Sequence, residues 1–93
     1  MSIVIIGGHE RMECQYKDLC KRYRCKAKVF TKCKRNLECL IGDPDMIILF
    51  TSPVSHEMAK TARKAAAATG TPLIQSHCAS QDSLRSILEE VRG

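Results

Sequence analysis

Apolar positions along this chain change their period repeatedly, and each change marks an element. A short run of strand-forming residues at 3–7 ends in Gly7 and Gly8. Met12, Tyr16, Leu19, Cys20 and Tyr23 then recur at helical spacing and predict a first helix. "CKAKVF" (25–30) alternates as a half-buried strand does. "LECLI" reads as a short second helix, stopped by "GDP" at 42–44 with glycine after the last apolar residue. "DMIILFT" (45–51) is continuously apolar, as expected of a central parallel strand covered on both faces. A third helix follows in "SPVSHEMAKTARKAAAATG", with Ser or Pro at its start, an alanine face and Gly70 as terminator. "PLIQ" (72–75) predicts a fourth strand. A last helix from about Ser80, capped by that serine, carries Leu84, Ile87, Leu88 and Val91 on one face.

Strand alternating with helix four times predicts an α/β fold: one small Rossmann-like or flavodoxin-like domain over 1–93, a four-stranded parallel sheet between two helix layers. The first and third strands are the most apolar and belong in the middle. The second carries Lys26 and Lys28, which suit an edge. The expected order is 2-1-3-4. The chain reverses direction between strands 1 and 3, and the crevice beyond their carboxyl ends is where such sheets take ligands.

Composition narrows the setting. A chain of 93 residues buries a modest core, so a homodimer is expected to help it enclose anything large. Hydrophobic content of 44% with 27% charge argues against disorder. No stretch approaches the roughly 18 apolar residues of a membrane span, and the first apolar run has no basic lead. A cytoplasmic protein is therefore expected, with its six cysteines (14, 20, 25, 33, 39, 78) reduced. None of their spacings is Cys-x-x-Cys, which speaks against a zinc ribbon or a thioredoxin-like pair. Cys20, Cys25 and Cys39 are expected to be small core residues. The net charge of +5 is uneven, because Lys17, Lys21, Arg22, Arg24, Lys26, Lys28, Lys32, Lys34 and Arg35 cluster around a single acid, Asp18.

Several familiar chemistries of this fold class are absent. Gly7 and Gly8 do not extend to G-x-G-x-x-G, and Phe30-Thr31-Lys32 stands where a ribose-binding acid would end strand 2. There is no phosphate-loop motif. Phe50-Thr51 ends the third strand where a phosphoacceptor aspartate would be needed, and no cysteine has an arginine at phosphatase spacing.

The chain's three histidines remain, and topology gathers them. His9 follows strand 1, His56 heads helix 3 after strand 3, and His77 follows strand 4, all beyond carboxyl ends. Cys14 lies in the first turns of helix 1, off its core stripe and beside Arg11, where the thiolate is favoured. Cys78 adjoins His77. Imidazole with thiolate suits zinc, copper or iron, including haem iron.

At "SIVIIGGHERMECQYKDLCKRY", "DMIILFTSPVSHEMAK" and "SHCASQDSLRSILEE" the chain resembles a small bacterial family catalogued as domain of unknown function 2325. The resemblance covers nearly the whole chain. It implies a single Rossmann-like domain and singles out Gly7, Gly8, His9, Ser55 and His56, without bringing an activity.

The leading expectation is a binding protein rather than an enzyme. It would hold a transition metal or haem iron through His9, Cys14, His56, His77 and Cys78, with Met12 and Tyr16 as walls, in a sensing, storage or redox role. The alternative is a phosphate, nucleotide or nucleic-acid ligand. Gly7 and Gly8 would then bring backbone close, Arg11 and Lys32 would supply charge, Ser52 and Ser55 would sit at a helix N-terminus, and the basic 17–35 flank would track a polymer. A thiol or acid–base enzyme using Cys14 and a histidine ranks last, because only Glu10 and Glu57 are near enough to orient the pair.

Overall fold

A computed structural model describes residues 2–32, 37–51, 56–77 and 80–92, without the side chains of Glu38, Val91 and Arg92. The elements run β1 (Ser2–Ile6), a 3-10 turn (Glu10–Met12), α1 (Glu13–Arg22), β2 (Lys26–Phe30), α2 (Leu37–Ile41), β3 (Met46–Phe50), α3 (His56–Thr69), β4 (Leu73–Ser76) and α4 (Gln81–Arg92). All strand pairs are parallel, in the order β2-β1-β3-β4 that the apolar pattern predicts. Among the described residues no helix is long and apolar enough to cross a membrane.

Residue parity divides the core. Ile3 and Ile5 of β1 and Met46, Ile48 and Phe50 of β3 face α1 and α4, meeting Tyr16, Leu19, Cys20, Leu84, Ile87 and Leu88. Val4, Ile6, Ile47 and Leu49 face the other way, toward Leu37 and Ile41 of α2 and Met58, Ala59, Ala62, Ala65 and Ala66 of α3. A strand's side chains alternate between faces, so an all-apolar β3 is what two covered faces require. Lys26 and Lys28 are exposed on the β2 edge.

The helix ends follow capping chemistry. Ser80 Oγ accepts the Ser83 backbone N–H at 3.2 Å and so caps α4. Helix α1 ends in a paired turn, with Arg24 N–H bonded to Lys21 O and Cys25 N–H to Cys20 O, each at 2.9 Å. Arg24 there has φ 59, a left-handed conformation usually left to glycine.

Two expectations are corrected. Met12 belongs to the 3-10 turn that precedes α1, not to the helix. Cys39 is exposed rather than core. Helix α2 is one short stretch, and its buried positions are the i, i+4 pair Leu37 and Ile41, which turns Cys39 and Leu40 outward. Cys33 lies outside the described residues.

Candidate functional site

The site is built where β1 leaves the sheet. Gly7 N–H still bonds Phe30 O at 2.9 Å, so the β1–β2 ladder outlasts the strand by one residue. The chain then turns through Gly7 (φ 91) and Gly8 (φ 87), reaches His9 in an extended conformation, and closes the 3-10 turn with Met12 N–H on His9 O at 2.9 Å. Gly8 is buried for a steric reason as well. A Cβ there would lie 3.0 Å from both Cε2 and Oη of Tyr16 and 3.1 Å from Cδ2 of Phe50. The turn therefore rests on two aromatic rings, whose centroids are 5.4 Å apart.

Above this floor lies an open cleft of about 340 Å³ lined by His9, Arg11, Met12 and Gln15. His9 and Arg11 are exposed and Met12 is half-buried. Tyr16 is fully buried beneath, and its hydroxyl points at Met12 Sδ, 3.9 Å away. Burial raises the Tyr16 pKa, while a backbone hydrogen bond with His9 opposes the rise, so the phenol stays protonated at neutral pH. On the rim, Lys32 Nζ is tied to Glu10 Oε1 at 3.1 Å.

The other expected residues are distributed around this edge. His77 follows β4, and its Nδ1 lies 3.4 Å from Thr51 Oγ1, which is also 3.4 Å from Ser76 O. These are long contacts but mutually consistent. The Thr51 hydroxyl can serve Nδ1 as donor or as acceptor, so it partners His77 in either tautomer. His56 is exposed at the first position of α3. The three histidines thus follow the three adjacent strands β1, β3 and β4. Cys14 is exposed on α1 and does not line the cleft. Ser52, Ser55 and Cys78 lie outside the described residues.

Among the described residues no three His, Cys, Asp or Glu side chains converge as a metal cluster. Two contributors escaped the sequence reading. Gln15 follows Met12 by three residues and so shares its side of the helix start. Thr51 stood out in the sequence only as a missing acid, although its hydroxyl lies beside His77 Nδ1.

Comparison with solved structures finds the same architecture at low identity. A de novo designed Rossmann fold protein matches with TM-score 0.67 and 14% identity, over 97% of this chain and 96% of the design. The lactose-specific IIB component domain of the phosphoenolpyruvate:carbohydrate phosphotransferase system from Streptococcus pneumoniae matches with TM-score 0.64 and 12% identity, over 99% of this chain and 94% of that one. A second designed Rossmann fold protein follows at TM-score 0.59 and 10% identity, over 97% and 94%. At such identities these likenesses establish the fold alone. No curated protein matches the chain. The model of a family described as "Uncharacterized protein conserved in bacteria (DUF2325)" matches residues 2–91, and the chain belongs to that family.

Proposed function

We propose that this is a ligand-binding protein whose carboxyl-edge cleft takes haem iron, with His9 as the residue that would hold the iron. The observation that carries this reading is the composition of the cleft, one imidazole beside Arg11, Met12 and Gln15. A bare transition ion wants three or four protein donors, and no such group occurs among the described residues. A porphyrin brings its own equatorial nitrogens and asks the protein only for an axial position. Met12 offers a polarisable apolar wall, and Arg11 offers a cation for a propionate.

His77 and His56, beyond the ends of β4 and β3, are the other imidazoles of this edge that could help hold the group. The cleft is open on one side, so a second copy of the chain is the expected cover for a large planar group. A sensing, storage or redox role in the cytoplasm accords with such a site.

The test is a haemin titration of purified protein. A sharp, shifted Soret band is expected, lost in His9→Ala and weakened about tenfold in Arg11→Ala. A protein that takes up neither haem nor zinc, copper or iron would sink the idea, as would a Soret band unchanged in His9→Ala.

A phosphate ligand is the second reading, favoured by one observation. Arg11 lines the cleft without an ion pair to any described residue, whereas Lys32 is engaged by Glu10. A nucleotide or nucleic acid held there should bind more weakly as salt rises and lose affinity in Arg11→Ala. Binding to RNA and DNA that is undetectable, or indifferent to salt, removes this reading.

A further inference from the structure

The turn that ends α1 brings two thiols together. In a helix ending of this type, the residue that accepts the longer-range turn bond and the residue that donates it usually touch through their side chains. Here the acceptor is Cys20 and the donor is Cys25. Their backbone bond limits how far apart they can be. From the 2.9 Å between Cys25 N and Cys20 O, with about 1.5 Å from N to its own Cα and about 2.4 Å from O to its own Cα, the Cα–Cα distance is at most about 6.8 Å. Disulfides span about 4.4–6.8 Å.

The side chains also share a side of the sheet. Cys20 is fully buried in the α1/α4 core, and Cys25 packs half-buried against that same core. Cys25 Sγ lies 3.3 Å from Tyr23 O, and both thiols are free. Burial pushes the Cys20 thiol up to about 11, and the negative charge of a nearby Cys25 thiolate adds to the push. Neither Cys14, at the other end of α1, nor Cys39, on the helix across the sheet, shares this turn.

We propose that Cys20 and Cys25 form a redox-active dithiol that is oxidised by small-molecule disulfides and closes into an intramolecular disulfide. Cys25 is the more accessible sulfur and reacts first. Its thiolate attacks one sulfur of the oxidant, breaks the S–S bond and releases one thiolate. Cys20 then loses its proton to solvent and attacks Cys25 Sγ, displacing the second thiolate. Two protein thiols become one disulfide, the two electrons reduce the oxidant to two thiols, and the protons end on those thiols. The bond would span Arg24 and lock the left-handed turn between α1 and β2.

The test uses a full-length variant in which Cys14, Cys33, Cys39 and Cys78 are replaced by Ser, treated with oxidised glutathione. A mass loss of about 2 Da, reversed by dithiothreitol, is the expected result. Trypsin should then leave fragments 18–21 and 25–26 joined. Closure should speed up about tenfold per pH unit between pH 7 and 9, because the buried Cys20 must ionise to attack. Cys20→Ser in the same background should stop at a glutathione adduct on Cys25.

A folded protein that keeps the adduct with Cys20 present, or takes up no oxidant, overturns the proposal. If the multiple variant does not fold, the wild-type peptide map decides in its place. Joined fragments 18–21 and 25–26 support the pairing, and either cysteine linked elsewhere refutes it.

Discussion

The two helix layers cover one sheet by different means. Between α1, α4 and the sheet the space is filled by large side chains: Tyr16, Phe50, Met46, Leu84 and Leu88, with a buried thiol among them. Helix α3 instead presents Ala59, Ala62, Ala65 and Ala66 with one long side chain, Met58, so on that side the bulk comes from strand residues Ile6, Phe30, Ile47 and Leu49 together with Leu37 and Ile41 of α2. Small residues let a helix backbone approach the sheet, while large ones hold it off and fill the gap. On the α1/α4 side the packing reaches up beneath the site, and Gly8 sits on aromatic rings. On the α2/α3 side the glycines that end helices, Gly42 and Gly70, lie at the opposite, amino edge of the sheet and have nothing within 4 Å of where a Cβ would stand.

Breaking that contrast at Gly8 should have the largest effect. Gly8→Ala meets strain at φ 87 together with contacts of 3.0–3.1 Å to two buried rings. Backbone strain of about 1–2 kcal/mol and overpacking of about 1–3 kcal/mol add to a loss of roughly 2–5 kcal/mol in denaturant unfolding. Haemin binding should fall with it, because His9 is the next residue. A variant as stable as wild type would mean that the turn does not rest on Tyr16 and Phe50.

Ala62→Leu tests the opposite layer. Ala62 is fully buried against the sheet, so the added volume should cost about 1–3 kcal/mol. The cleft lies on the other side, so haemin affinity should hold within about twofold, a difference worth roughly 0.4 kcal/mol. A large loss of affinity would show that the two layers are coupled through β1.

Gly70→Ala shares the positive φ of Gly8 but not its surroundings. At φ 67 in open space only the backbone term remains, so a loss of about 1–2 kcal/mol is expected. Measured beside Gly8→Ala, it separates strain from packing. Equal losses at the two positions would assign all of Gly8's sensitivity to φ and none to the aromatic floor.

Much of this architecture could be read from the chain because it depends on local pattern. The unbroken apolar run of β3, the lysines of β2 and the glycine stops each carry their own physical signature, and together they determine strand order. The reason for Gly8 is different in kind. Two glycines after a strand suggest backbone approaching a ligand, whereas here the missing Cβ makes room for Tyr16, eight residues on, and Phe50, on another strand. That is a tertiary fact with no local trace. The 3-10 turn likewise shifts the start of α1, which is why Gln15 lines the cleft and Cys14 does not. The histidines were legible as a group because strand order alone places them. Their second contacts, such as Thr51 beside His77, were not.

The smallest effect at neutral pH sharpens the contrast through ionisation. The α2/α3 core residues are all non-titrating, whereas the α1/α4 core contains Tyr16 and Cys20. Burial raises both, Cys20 to about 11 from an ordinary 9.0 and Tyr16 above 10.0. A group whose folded pKa is raised favours the protonated form in the native state. Its contribution is therefore complete below the unfolded pKa and is lost as pH rises through the folded one. Under reducing conditions, stability should be unaffected by these groups up to about pH 9 and then decline between about pH 9 and 11. Cys20→Ala should remove the first part of that decline, whatever constant offset the lost sulfur contact adds at every pH. Tyr16→Phe should remove the later part, above about pH 10. The slope with pH isolates ionisation from packing. An alkaline decline identical in wild type and both variants would place its origin outside the α1/α4 layer.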